Sequence, residues 1–213
     1  MKTLDNERQV TPDETVQIGN VANPVSEEEL RSAIRTIIRA IGDDPDRDGL
    51  RNTPDRIMRM YQEIFRGNDA ARKPRITTFP NSSRSSELVF DCGEYYSMCE
   101  HHMLPFFGNY YFAYIPSPEG RILGISKVAR VVGYCAARLQ LQERLCREVV
   151  EMLDEALKGT ALGFAIVMQG KHMCKSMRGV KNRGNMCVSY FTGCFEKKKA
   201  LRDEFYEMIQ MNS

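Results

Sequence analysis

All three histidines of this 213-residue chain fall in two short stretches. Residues 97–106 read S-M-C-E-H-H-M-L-P-F and hold Cys99, His101 and His102; residues 171–179 hold His172 and Cys174. Cys99 and His102 are three apart, a common spacing for two metal ligands on one turn. Cys174 is the other cysteine with a histidine close beside it. Cys99, His102 and Cys174 together would offer two thiolates and one imidazole, and soft sulfur with nitrogen favours zinc over magnesium or calcium. Three protein ligands leave a position for water, as in catalytic zinc sites; a fourth ligand, His101 or His172, would close the site and make it structural. In an open site the metal brings the pKa of a bound water to about 7. An imidazole titrating near pH 6.5 can then move protons at working pH.

A second set of residues suits anions and bases. Residues 125–130, I-S-K-V-A-R, open a helix. Free N–H groups there attract anions, and Ser126 can cap. Lys127 and Arg130 sit on the first turn, where the helix dipole disfavours cations. A phosphate in front of them would explain both; so would plain solvation of two surface charges. Arg178, four residues after Cys174, adds a third cation. Residues 140–145, Q-L-Q-E-R-L, join two helices. Glu143 either caps the second electrostatically or accepts two hydrogen bonds from a purine amidine edge, since an ionised carboxylate is acceptor-only.

These residues need a scaffold, and the sequence predicts an α+β one. Residues 1–24 lack periodicity and read as a polar tail. Ser26 and Glu29 form a capping box, and Leu30, Ala33, Ile34, Ile37, Ile38 and Ile41 then mark one helical face that ends at Gly42. Residues 44–49 resemble the opening of a calcium loop, with Asp55 at its twelfth position in place of the usual glutamate. However, Thr53-Pro54-Asp55 reads as an N-cap, a first-turn proline and a dipole-matching acid, which starts a second helix inside that loop. This helix carries Ile57, Met58, Tyr61, Ile64 and Phe65 and stops at Gly67. After a basic linker at 72–75, strands are predicted over 87–96 and 108–115. Helices follow over 126–139 and 142–157, strands over 162–168 and 186–195, and a helix over 197–211. Strand pairs separated by helices indicate an antiparallel sheet. The organisation is a tail (1–24), a helical region (25–67) and a catalytic domain (68–213).

A formal net charge of +2 gives no global attraction for nucleic acid, so an anion must meet a local cluster. No apolar run reaches a membrane span, and the polar start has no signal core, which points to a cytoplasmic protein. Seven cysteines, an odd number in a chain that is not small, suit a reducing compartment. Cys92, Cys135, Cys146, Cys187 and Cys194 have no histidine nearby and are expected in the core.

Four runs together resemble the zinc-dependent GTP cyclohydrolase I family, in that family's order: 97–106, 123–130 (L-G-I-S-K-V-A-R), 138–145 (R-L-Q-L-Q-E-R-L) and 172–180 (H-M-C-K-S-M-R-G-V). The helical front at 44–50 and 53–56 matches as well. The resemblance implies a tunnelling fold, an antiparallel sheet backed by two helices, with subunits joined as a homodecamer of two pentameric rings. It implies conversion of GTP to 7,8-dihydroneopterin triphosphate and formate. On the matching positions, Cys99, His102 and Cys174 would hold Zn2+, and His101 and His172 would transfer protons. Ser126, Lys127, Arg130 and Arg178 would hold the triphosphate, and Glu143, with Gln142 near it, the guanine. Lys175 stands where the family usually has Met, and residues 185–191 depart from its Ser/Thr-rich strand. A non-catalytic, zinc-stabilised purine- or pterin-binding module is the alternative.

Overall fold

The computed structural model describes Thr15–Val16 and residues 25–212. Most of the tail expected over 1–24 lies outside the described residues. The chain forms two compact units, residues 1–70 and 71–213.

In the first unit, β1 (Thr15–Val16) pairs antiparallel with β2 (Val25–Ser26). Helix α1 (Glu27–Ala40) starts where the capping box predicts: the Ser26 hydroxyl accepts from the Glu29 amide at 3.2 Å, and three glutamates fill the first turn. Helix α2 (Thr53–Ile64) has Asn52 at the N-cap position rather than Thr53. Ile34, Ile38 and Met58 are buried between the two, with Leu30, Leu50 and Ile57 around them. Arg31 donates to Asp55 at 2.9–3.0 Å, tying α1 to α2. The acids of the calcium-like loop are engaged otherwise. Asp43 takes Arg47, Asp46 takes Arg35 and Asp48 takes Arg51, while Asp44 accepts from the Asp46 amide.

The second unit is built on a five-stranded sheet in the order β7-β4-β5-β8-β9. Its strands are β4 (Val89–Cys99), β5 (Pro105–Pro116), β7 (Leu139–Gln140), β8 (Ala161–His172) and β9 (Met186–Phe191). All pairings are antiparallel except the short β4–β7 contact, where Met98 and Cys99 face Leu139 and Gln140. A separate ladder joins β3 (Thr78–Pro80) to β6 (Arg121–Leu123). The helices are α3 (Lys127–Ala136), α4 (Gln142–Ala156), the short α5 (Met173–Ser176) and α6 (Cys194–Lys197), and α7 (Lys199–Met211).

Side-chain alternation decides which helix meets which face. Tyr110, Phe112 and Tyr114 of β5 and Phe164, Ile166 and Met168 of β8 pack with α3 and α4, against Val131, Val132, Leu145, Val149 and Leu153. Their neighbours Tyr111, Ala113, Ile115, Ala165 and Val167 point the other way, onto Phe195 and onto Phe205 and Ile209 of α7. The central strands are therefore covered on both faces, more than a sheet backed by two helices requires.

Three strands run further than predicted, and all three extensions reach the chemistry. Strand β5 starts at Pro105 rather than 108. Strand β4 continues to Cys99 and β8 to His172. Residues 169–171, Q-G-K, have little strand preference, but the backbone of 107–109 lies opposite them and supplies the ladder. The strand predicted over 186–195 ends at Phe191, because Gly193 turns the chain in the left-handed region at φ 57° and α6 follows. The five cysteines expected in the core divide. Cys135 and Cys146 are fully buried, and burial pushes their thiols up to about 12. Cys194 is half-buried, packed at the edge of the α7-side core. Cys92 and Cys187 are exposed, a correction with a parity cause: Tyr95, Ser97 and Cys99 of β4 and Val188 and Tyr190 of β9 turn inward, so Cys92 and Cys187 turn out.

Candidate metal centre and active site

Strand order explains how Cys99 and Cys174, 75 residues apart in sequence, meet. β4 and β8 flank the same strand, β5, and both finish at one end of it. Met98 lies opposite Pro105, and Phe106 lies opposite His172. Cys99 thus ends β4, His172 ends β8, and Cys174 sits in the turn of α5 immediately after. The two Sγ atoms are 3.8 Å apart. One ligand atom each from Cys99, Cys174 and His172 lies within 4.8 Å of the others. Burial raises the Cys174 thiol above its ordinary range, and the neighbouring Cys99 sulfur raises it further. Two thiols at this separation resist ionising together unless a cation is between them. With an imidazole beside them, they form a donor set that fits a metal ion.

The turn between β4 and β5 is held by backbone. Cys99 N donates to Leu104 O and Met103 N to Cys99 O, each at 2.9 Å, while Glu100 N donates to Gln140 O at 3.2 Å. Met103 takes φ 51° there, a strained value for a side-chain-bearing residue that these bonds enforce. Side chains brace the same turn. Arg144 bridges Glu100 to Gln140 Oε1. The fully buried Gln140 donates in turn to Cys135 O at 3.2 Å and Glu148 at 2.8 Å. No sequence spacing announces this brace across 44 residues, although Gln140, Arg144 and Glu148 recur four apart as one helical face would.

The three imidazoles are held differently. His101 Nδ1 lies 3.8 Å from Cys99 Sγ. His102, expected as a ligand, is not in the thiol cluster: its Nε2 lies 2.7 Å from Arg178 Nη1. A guanidinium only donates, so that contact uses the Nε2 lone pair of His102. His172, expected as a proton carrier, stands among the thiols instead. Its Nε2 is 2.8 Å from Gln142 Oε1, and its ring stacks on Phe106 at 4.5 Å and 6°. Burial lowers its pKa, against the opposing pull of nearby Glu143.

Glu143, Arg178 and the thiols therefore share one end of the sheet. Ser126, Lys127 and Arg130 do not. Ser126 occupies the N-cap of α3 but makes no capping bond with its side chain. That helix start adjoins a partly open pocket lined by Val89, Asp91, Tyr114, Gly124, Ile125 and Val128, at the β4 end opposite Cys99. Only the far end of α3 approaches the centre, through Ser97 Oγ donating to Ala136 O at 2.7 Å. Ten helical residues and two strand residues separate Ser126 from Cys99, on the order of 20 Å at 1.5 and 3.3 Å per residue.

Residues 30–210 match the family described as GTP cyclohydrolase I. The chain belongs to that family. Among relatives named GTP cyclohydrolase 1, that of Caldanaerobacter subterraneus subsp. tengcongensis is 44% identical over 186 residues, 87% of this chain and 97% of that protein. The enzyme of Clostridioides difficile is 42% identical over 191 residues, 89% and 99% of the two chains. That of Clostridium kluyveri is 40% identical over 188 residues, 88% of this chain and all of the relative. The matched span of the cyclohydrolase family takes in both histidine-bearing stretches, α3 and the turn into α4.

Proposed function

We propose that this chain hydrolyses GTP at guanine C8, opens the imidazole ring, releases formate and yields 7,8-dihydroneopterin triphosphate. Membership of the GTP cyclohydrolase I family supports the activity. The observation that carries the assignment to a place in the molecule is the convergence of Cys99, Cys174 and His172 at one sheet end. The non-catalytic binding module is not favoured.

We assign zinc as the metal, because two thiols and an imidazole are soft donors. Bound there, zinc supplies a water acidic enough to give hydroxide near neutral pH. Cys99 and Cys174 are the sulfur ligands. His102 is kept as the imidazole ligand on the family resemblance, with Arg178 the group that holds its lone pair in this structure. His101 and His172 then carry protons to and from the opening ring. Glu143 accepts from the guanine edge, and Arg178 meets phosphate. Positioning the base against the nucleophile is the contribution expected of such a clamp.

The finer fold assignment is the tunnelling fold, supported by the antiparallel strands and by α3 and α4 on one face. The division into a tail (1–24), a helical extension (25–67) and a catalytic domain (68–213) goes with it. A homo-oligomer is part of this reading, and its form, a decamer of two pentameric rings, rests on the family resemblance alone; the distance just derived supports only that more than one copy builds the site. A triphosphate held by Arg178 is far too short to reach Ser126 and Lys127 of the same chain. With Ser126 and Lys127 as triphosphate ligands, this reading has a second copy present its α3 start to the site. Cytoplasmic placement agrees with seven free thiols, and no helix among the described residues is long and apolar enough to cross a membrane.

Incubating zinc-loaded protein with GTP and following pterin fluorescence and formate tests the activity. Formate and the fluorescent pterin should appear in equal amounts. GTP bound with neither product released would favour the binding module.

A further inference from the structure

Gln142 is expected, from its place beside Glu143, to lie near the purine. The residue is instead only 1% exposed, and its side-chain amide is engaged at both ends. The amide nitrogen donates to Met168 O at 2.8 Å and to Met186 O at 3.1 Å, on two neighbouring strands. Both acceptors are carbonyls, so the amide fits one way round; turned over, its oxygen would face two oxygens. Oε1 is thereby committed to His172 Nε2 at 2.8 Å. An amide oxygen only accepts, so Nε2 carries the hydrogen, and in the neutral ring the lone pair falls to Nδ1. A second contact fixes the plane of that ring, the parallel stack on Phe106, its cross-strand partner. Gly170 leaves the room required: a Cβ there would lie 2.6 Å from Gln142 Oε1 and would also strike the buried Tyr95 hydroxyl.

We propose that Gln142 is a positioning residue that locks His172 as the Nε2–H tautomer, making Nδ1 its single basic atom, and that it does not read the purine. The functional part of this inference rests on the reading of His172 as a proton carrier in the cyclohydrolase reaction. Without the lock, the imidazole could place its hydrogen on either nitrogen and turn about its own axis. A base with its lone pair on the wrong side transfers nothing. The carboxamide sets the tautomer through strands β8 and β9, so the register of the sheet is carried directly into the orientation of one reacting atom.

Protein labelled with [15N]histidine contains three imidazoles to assign. Solid-state 15N spectra of the zinc-loaded protein should show His172 Nε2 protonated and Nδ1 bare of hydrogen. A protonated Nδ1 overturns the proposal, whether or not any variant folds. Gln142→Met keeps the side-chain length and removes both donor and acceptor. It should hold wild-type zinc, lower kcat about 10- to 100-fold and leave KM for GTP within about threefold. A raised KM at unchanged kcat would put Gln142 on the purine and overturn the proposal. So would recovery of wild-type kcat when zinc is supplied in excess. If the wild-type protein itself turns over no GTP, the functional reading fails separately, and the spectra still decide the lock.

Discussion

Which partner holds each imidazole lone pair decides what this cluster can do. Arg178 holds that of His102, and the hydrogen bond from His172 to Gln142 leaves a lone pair on Nδ1. The proposed roles separate in two substitutions. His102→Ala should lose most of its zinc by elemental analysis, while His172→Ala should keep zinc and lose at least about 100-fold in kcat, the scale of a general acid–base group. The reverse pattern would exchange their roles, making His172 the ligand. Away from the centre, Asp91 offers a pH test free of the metal. Burial raises its carboxyl above the usual range, while the Tyr110 hydroxyl, donating at 2.9 Å, and the Cys92 amide pull it back. A carboxyl whose folded pKa is raised contributes stability that is whole below the ordinary carboxylate range and is lost as pH rises through the raised value. Asp91→Asn keeps an acceptor for Tyr110 and removes the charge. Its Tm should exceed that of the wild type at pH 7 by about 1–3 °C, and calorimetry should show the gap closing toward pH 3. A gap independent of pH would remove ionisation as its cause.

Among the elements, the turn after β4 and the start of α4 behave as one unit because Arg144 joins Glu100 to Gln140 and Glu148. Arg144→Met preserves the stem and removes the fork. With the turn released, Cys99 is held by backbone alone, and zinc affinity should fall about 10-fold or more in competition with a chelator, while the circular dichroism stays that of the wild type. Unchanged affinity would reduce the brace to a surface ion pair, which contributes little. The sequence carried much of this layer and missed some of it for definite reasons. Residues 110–115, Y-Y-F-A-Y-I, are an unbroken run of apolar, mostly strand-favouring residues, so a strand there was legible, but a run with no polar alternation does not tell its two faces apart. The last residues of β4 and β8 were not legible, because 169–171 lack strand preference and owe their conformation to the strand opposite. β7 is two residues long, below any periodic signal, yet it fixes Gln140 beside Cys99. The pairing of Cys99 with Cys174 was legible from the scarcity of histidine. Which imidazole stands between them depends on rotamers and on Arg178 and Gln142, neither of which a spacing rule contains.

For the whole molecule, the decisive quantity is the separation of Ser126 and Lys127 from the thiols. The start of α3 lies at the β4 end opposite Cys99, on the order of 20 Å away by helix and strand rise. Both ends of α3 are anchored: Leu123 N, just before it, donates to the Tyr114 hydroxyl at 2.9 Å, and Ser97 bonds its last carbonyl. The helix cannot swing to close that distance without giving up Val128, Val131, Val132 and Cys135 from the core. If Lys127 serves the reaction, it serves a neighbour, and activity becomes a property of pairs of chains. Lys127→Ala and His172→Ala should each be nearly inactive alone. Co-expressed in equal amounts, they would assemble at random, and a site would be intact when the chain giving the metal end carries Lys127→Ala and the chain giving α3 carries His172→Ala. That arises in half of the draws for each contributor, so about a quarter of wild-type activity per site should return, as expected for heterologous contacts in a closed ring. Separately purified variants that cannot exchange subunits should show none. Failure of co-expressed chains to recover, in assemblies shown by mass to be mixed, would mean that Lys127 and His172 act within one chain or that Lys127 does not touch the substrate.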